Sequence, residues 1–135
     1  MIGIKDQFFG TEIEMTGITR QRAAEVVAEM FGTEAYYDGT TYGIWSVRDL
    51  EGKKWKFMSD GSIHTERKAG GRIVEAGREY STEMVSPKLS YDEMGKLQEV
   101  VRCLRRHIRL AGNICRVLPM VRYWTGFLPD VPDVP

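Results

Sequence analysis

Between Phe9 and Gly17 the chain alternates with a period of two. Phe9, Ile13 and Met15 fall in one phase, and Glu12 and Glu14 fall in the other. Successive side chains on a strand point to opposite faces, so this stretch is a strand with one apolar face and one acidic face. Such a strand is not stable alone. It needs neighbours for its ladder and a layer to cover its apolar side. Glu12 and Glu14 project from the same face. Two like charges so close raise each other's energy unless a cation lies between them or water screens them. One reading makes the pair hard oxygen ligands for a divalent cation of the kind Mg²⁺ exemplifies. The other makes it the wet polar face of a half-buried strand.

The helices announce themselves by their caps. Thr19 is a good N-cap, and Ala23, Ala24, Val26, Val27, Met30 and Phe31 follow at helical spacing until Gly32 supplies a left-handed stop. Ser90-Tyr91-Asp92-Glu93 is a capping box ahead of Met94, Leu97, Val101, Leu104 and Ile108, which predicts a helix over about 91–110 closed by Gly112. Tyr42–Val47 and Lys54–Met58 read as two strands of a hairpin around Asp49-Leu50-Glu51-Gly52. In the second, Trp55 and Phe57 share a phase, and Lys54, Lys56 and Met58 share the other. Tyr36-Tyr37-Asp38-Gly39 reads as a turn. Arg78–Val85 reads as a strand that Pro87 ends.

Two stretches carry less pattern. Residues 65–77 are polar and contain Gly70 and Gly71, so they read as an exposed loop; with Arg67, Lys68 and Arg72 alongside, the alternative is a phosphate-contacting flap. Val117–Tyr123 is mixed. Leu128–Pro135 repeats Pro at every third position, which forbids helix and interior strand and predicts an extended or disordered end.

Lys plus Arg and Asp plus Glu both number 19. No global field therefore favours nucleic acid or an anionic membrane, and neither is expected as a partner. Arg102, Arg105, Arg106, Arg109, Arg116 and Arg122 nonetheless fall in a stretch with no acidic residue. They form either a solvated face or an anion-facing patch suited to phosphates. Cys103 and Cys115 lack the spacing of a zinc motif and read as free thiols, buried as small apolar residues in a reducing compartment. No secretory signal and no bilayer-length apolar run is present, so a cytoplasmic location is expected. His64 reads as exposed or a minor polar contact, and His107 as solvated.

Gln7–Arg20, with Gly10-Thr11-Glu12-Ile13-Glu14 at its centre, resembles the opening Gly-x-Glu-x-Glu strand of the amidoligase family. That family belongs to the glutamine-synthetase-like carboxylate–amine ligases, together with the gamma-glutamylcysteine synthetases. Trp55…Ser59-Asp60-Gly61-Ser62-Ile63 and Tyr80-Ser81-Thr82-Glu83-Met84-Val85-Ser86-Pro87 match further pieces in the same order, and the helix from Tyr91 follows as in the family. The resemblance covers about residues 7–112. It implies ATP and Mg²⁺ as cofactors and an acyl phosphate that an amine attacks. Glu12, Glu14 and Glu83 are implied as metal-binding and catalytic. Asp60, Ser62, Arg67 and Arg72 are the substrate-side candidates. For Asp60 and Ser62, a plain tight turn is an equal alternative.

One departure is plain. The family continues from this helix into a Cys-Gly-x-His-x-His-like strand, whereas here Ala111-Gly112-Asn113-Ile114-Cys115 runs into Arg116-Val117-Leu118-Pro119-Met120 and no His-x-His occurs. Three expectations stand together. The chain is an ATP- and Mg-dependent carboxylate–amine ligase, complete or partial; or an inactive remnant that serves as a binding or regulatory module; or an unrelated α+β domain whose glutamates are wet sheet face. The expected fold is α+β: an antiparallel sheet of four or five strands with two main helices on one face, a partial glutamine-synthetase-like catalytic fold. Residues 1–115 form that domain and 116–135 a divergent, Pro-rich tail. The implied partners are small-molecule or peptide carboxylates and amines. An exposed sheet edge would be covered by a second copy of the chain or by a missing C-terminal half.

Overall fold

The computed structural model describes residues 8–39, 43–59, 66–69, 72–75, 81–110 and 117–125. Strand β1 (Phe8–Met15) lies at the centre of the main sheet. On one side it pairs antiparallel with β7 (Thr82–Val85), then with the short β8 (Leu89–Ser90). Between them, Ser86 continues the edge through its hydroxyl, which accepts from the Thr11 amide at 2.9 Å, while the Ser86 amide donates to the Thr11 carbonyl at 2.9 Å. β7 and β8 are thus one strand broken at Pro87, which has no amide hydrogen to give the ladder. On its other side β1 pairs over its whole length with β9 (Val117–Thr125), with a bulge at Gly10/Thr11.

Beyond β7 the sheet continues through β4 (Lys54–Met58) and β3 (Trp45–Arg48) to β2 (Ala35–Tyr37), every pair antiparallel. Seven strand segments therefore replace the four or five expected. Three differences have local causes. Tyr36 and Tyr37 do not turn; they end β2, where two aromatic residues fit a pleated edge. Val117–Thr125 has β-branched and aromatic residues enough to pair with β1 despite Pro119. Within 65–77 the structure has a hairpin, β5 (Glu66–Ala69) and β6 (Arg72–Glu75), with Ala69 opposite Arg72. Two glycines are all that separates that pair, which is the dipeptide a two-residue hairpin turn favours.

Both helices cover one face of the sheet. Helix α1 (Arg20–Phe31) begins where the Thr19 hydroxyl accepts from the Arg22 amide at 3.2 Å, and ends at Gly32 with φ 77°. Helix α2 (Met94–Leu110) follows a 3-10 turn over Tyr91–Glu93 that carries the capping box. Ile13, Met15, Met84, Phe57, Trp55 and Val47 face the helices; α1 meets them with Ala23, Ala24 and Val27, and α2 with Leu97, Val100, Leu104 and Ile108. Val100 takes the deep place that the heptad-like spacing gave to Val101, which is half-buried.

The β3–β4 hairpin is tied to the start of α2 by a charge network. Asp49 is 4% exposed. Its Oδ1 accepts from the Glu51 and Lys53 amides at 3.0 and 2.9 Å, and its Oδ2 from the Trp55 indole at 3.1 Å and Lys96 Nζ at 3.2 Å. Lys96 also reaches Glu51 at 2.7 Å, and Lys53 reaches Glu93 at 2.5 Å. No described helix is long and apolar enough to cross a membrane.

Candidate functional site

The helix-free face of the sheet collects the residues of the acidic phase. Glu14 of β1 lies directly opposite Glu83 of β7, and Glu12 lies opposite Val85. Directly opposed residues have Cβ atoms about 4.5–5.5 Å apart, and neighbours on one face of a strand are about 7 Å apart. The three glutamates therefore occupy one small triangle on two adjacent strands. Glu12 and Glu14 are half-buried, while Glu83 is 8% exposed. A carboxylate that deep requires partners, and all three glutamates have them. As their side chains stand, no three His, Cys, Asp or Glu side chains among the described residues are gathered tightly enough to enclose a metal ion.

The same face continues onto β4. Lys56 pairs with Val85, and Met58 pairs with Glu83. Glu12, Val85 and Lys56 thus form one row across three strands, about 10 Å from end to end. Lys56 is the cation that sequence reasoning missed. Its phase with Lys54 and Met58 was visible, but which strand would lie beside which was not. Lys54 is committed elsewhere: its ammonium lies 3.0 Å from Asp38, over the Tyr36 ring. Asp38 also accepts from the Ser46 hydroxyl at 2.5 Å. That bond, aided by Lys54, holds its carboxyl below the usual carboxylate range.

β1 ends, β7 begins and β4 ends at one end of the sheet, because Met15 pairs with Thr82 and Met58 with Glu83. The chain that leads to Asp60 and Ser62 departs from this end. Those two residues lie outside the described residues. Arg67 and Arg72 fall in β5 and β6, in a separate two-stranded sheet, and their side chains lie outside the described set. Helix α1 also starts at the β1 end. Its first residue, Arg20, lies so close to Gly43 that a Cβ there would come within 2.9 Å of the guanidinium. The guanidinium ends a flexible side chain and could shift, so it is the φ of 61° at Gly43 that calls for glycine.

The arginines of α2 are placed differently. Arg102 and Arg105 border a groove against Thr11 and Ile13, on the helix side of the sheet and away from the glutamates. They do not face a nucleotide held by Glu12, Glu14 and Glu83. His107 is partly exposed and accepts from the Arg22 side chain at 3.2 Å; partial burial, with the Arg22 charge, pushes its pKa below the usual value. Cys103 is half-buried, and burial pushes its thiol pKa up, so it is an unreactive thiol. Cys115 and His64 lie outside the described residues.

With this geometry in place, comparison adds one positive finding. A family model described as "Putative amidoligase enzyme" matches residues 5–115. Searches of the curated proteins and of the solved structures gave no match. The matched span holds Glu12, Glu14, Lys56 and Glu83, and stops short of β9.

Proposed function

The chain belongs to the amidoligase family, and on that premise we propose that it carries the metal- and nucleotide-facing sheet of an ATP-dependent carboxylate–amine ligase. The observation that carries this reading is the register of β1 with β7, which puts Glu14 opposite Glu83 and Glu12 beside them on the helix-free face. The donor set fits a hard cation such as Mg²⁺, which takes carboxylate oxygens and keeps several waters. Bound there, the cation would draw charge from the phosphate oxygens of ATP. Glu12, Glu14 and Glu83 would hold it.

The chemistry that the family implies has two displacements. A substrate carboxylate oxygen attacks the γ-phosphorus of ATP and ADP leaves; the amine nitrogen then attacks the acyl carbon and phosphate leaves. Lys56 would offset charge on the triphosphate from the same face, in the same row as Glu12 and two strands away. Asp60 and Ser62 are the proposed orienting groups for the substrate, because their segment leaves the sheet beside Glu83. Arg67 and Arg72 are proposed to contact substrate or phosphate from the β5–β6 hairpin. Small carboxylates and amines are the substrate class.

A second reading keeps the ancestry and drops the turnover: a binding module in which the glutamates hold no metal. The absence of a closed three-acid cluster among the described residues favours it. Calorimetry with Mg²⁺–ATP separates the two. Saturable binding that Glu12→Gln/Glu14→Gln abolishes supports the ligase site. No binding by a folded chain would remove it.

A further inference from the structure

Among the described residues, the two most exposed large apolar side chains are Leu50 and Leu110, at 82% and 79%. They lie at opposite ends of one groove. Arg22, near the start of α1, meets His107 near the end of α2. Met30, at the far end of α1, lies with Lys96 and Glu99 near the start of α2. The two helices therefore run antiparallel. Between them, two hollows of about 390 and 400 Å³ share Met30 and Glu99 and so join end to end. Val26, Cys103 and Leu110 line the first, and Phe31 and Leu50 the second. The groove belongs to the helix layer, on the side of the sheet away from Glu12, Glu14 and Glu83.

The two walls of the groove carry opposite charge. On α1, Arg22 and Glu25 pair with each other, and on α2, Arg102 pairs with Glu99. That leaves Glu29 on one wall and Arg106 on the other. Both are exposed, both line the groove, and neither forms an ion pair among the described residues. Helical side chains lean toward the N-terminus of their own helix. Because α1 and α2 run in opposite directions, Glu29 and Arg106 lean toward one level of the groove.

We propose that a second copy of this chain docks on this surface, helix layer against helix layer. A two-fold axis running along the groove lays α1 of one copy over α2 of the other and leaves every residue at its own level. Glu29 then meets the second copy's Arg106, and Arg106 meets the second copy's Glu29, as an isologous contact requires. Leu50 and Leu110 lie along the same axis and lose their exposure against the facing layer. Two helix diameters by about 20 Å of helix give about 400 Å² per copy. That is the lower end of specific interfaces, so the dimer is expected at micromolar chain and exchanges with monomer. The interface does not touch the glutamate face, so the dimer forms with or without Mg²⁺–ATP and stands independently of the ligase reading.

Sedimentation velocity on the full chain, from micromolar to sub-millimolar concentration, tests this. The chain is expected to pass from monomer to dimer across the series. Glu29→Arg or Arg106→Glu alone places like charges together at two symmetry-related points and should weaken the dimer about tenfold to a hundredfold. An equal mixture of the two single variants should dimerise again, because each then faces its complement twice. The double variant should do the same by itself. A chain that stays monomeric throughout would overturn the proposal. So would a dimer that neither reversal weakens, which would place the contact elsewhere, at a sheet edge for example, or a mixture that remains monomeric. If a reversal alters the native tryptophan fluorescence, Leu50→Ser/Leu110→Ser replaces it, at two exposed sites. Loss of the dimer is then expected, and an unchanged dimer would overturn the proposal.

Discussion

Asp49 offers the sharpest stability test, because four donors converge on one carboxylate that is 4% exposed. Replacing it with alanine removes the acceptor of the Trp55 indole, and Trp55 is fully buried. An unsatisfied buried donor costs about 1–3 kcal/mol. The Glu51 and Lys53 amides lose their acceptor as well, but they lie in an exposed turn where water can replace it, so each is worth about 0.5 kcal/mol. Lys96 keeps Glu51, and its partly exposed pairing with Asp49 adds no more than about 1 kcal/mol. Asp49→Ala is therefore expected to cost about 3 kcal/mol in urea unfolding followed by tryptophan fluorescence. The indole share can be isolated with Trp55→Phe. In that background the donor is gone, and Asp49→Ala should cost about 1–3 kcal/mol less. A loss below about 1 kcal/mol for Asp49→Ala alone, or no coupling with Trp55, would refute the argument that this carboxylate anchors the hairpin.

Acid should weaken the fold through three carboxyls. Burial works against the charged forms of Asp49 and Glu93, but hydrogen bonds from Trp55 and Lys53 respectively, with further donors, more than offset it; with Asp38, held down chiefly by Ser46, all three are depressed. A depressed folded pKa gives stability above the unfolded value that is lost as pH falls through the folded one, so the urea midpoint should drop below about pH 4. Lys96 is raised despite its burial, chiefly by Glu51 and Asp49, so its share is full below the unfolded lysine value and disappears only as pH rises through the folded one. Gly32→Ala should cost about 1 kcal/mol by thermal melting, because nothing lies within 4 Å of the added methyl and the φ of 77° is the only penalty. Lys56→Met should weaken Mg²⁺–ATP binding in calorimetry about tenfold while leaving the urea midpoint within about 0.5 kcal/mol; unchanged affinity would exclude Lys56 from the nucleotide site.

Legibility followed the range of the interaction. The Thr19 cap, the capping box at Ser90–Glu93, the stop at Gly32 and the phases of β1 and β4 are local, and each was readable from a few adjacent residues. The Glu12 and Glu14 face was readable for the same reason. Its partner strand was not, since no period in β1 says that Glu83 will stand opposite Glu14 and not one residue along; only the family resemblance joined them. Lys56 was missed on the same ground. The β5–β6 hairpin was missed although Gly70-Gly71 is a hairpin signal, because the flanking residues are polar and give no alternation to read. β9 was missed because Pro119 argues against a strand, and its pairing with β1 is settled by a neighbour remote in sequence.

That remoteness governs how the chain can assemble during synthesis. Phe8 pairs with Thr125 and Met15 with Val117, so β1 leaves the ribosome more than 100 residues ahead of the strand that completes it. Such non-local pairings form late, after the entropy of closing a long loop has been overcome. Until then one edge of the strand that bears Glu12 and Glu14 is open to any extended segment nearby, including β1 of another nascent copy. Aggregation during expression, relieved by slowing translation or lowering temperature, would be the visible sign of that interval.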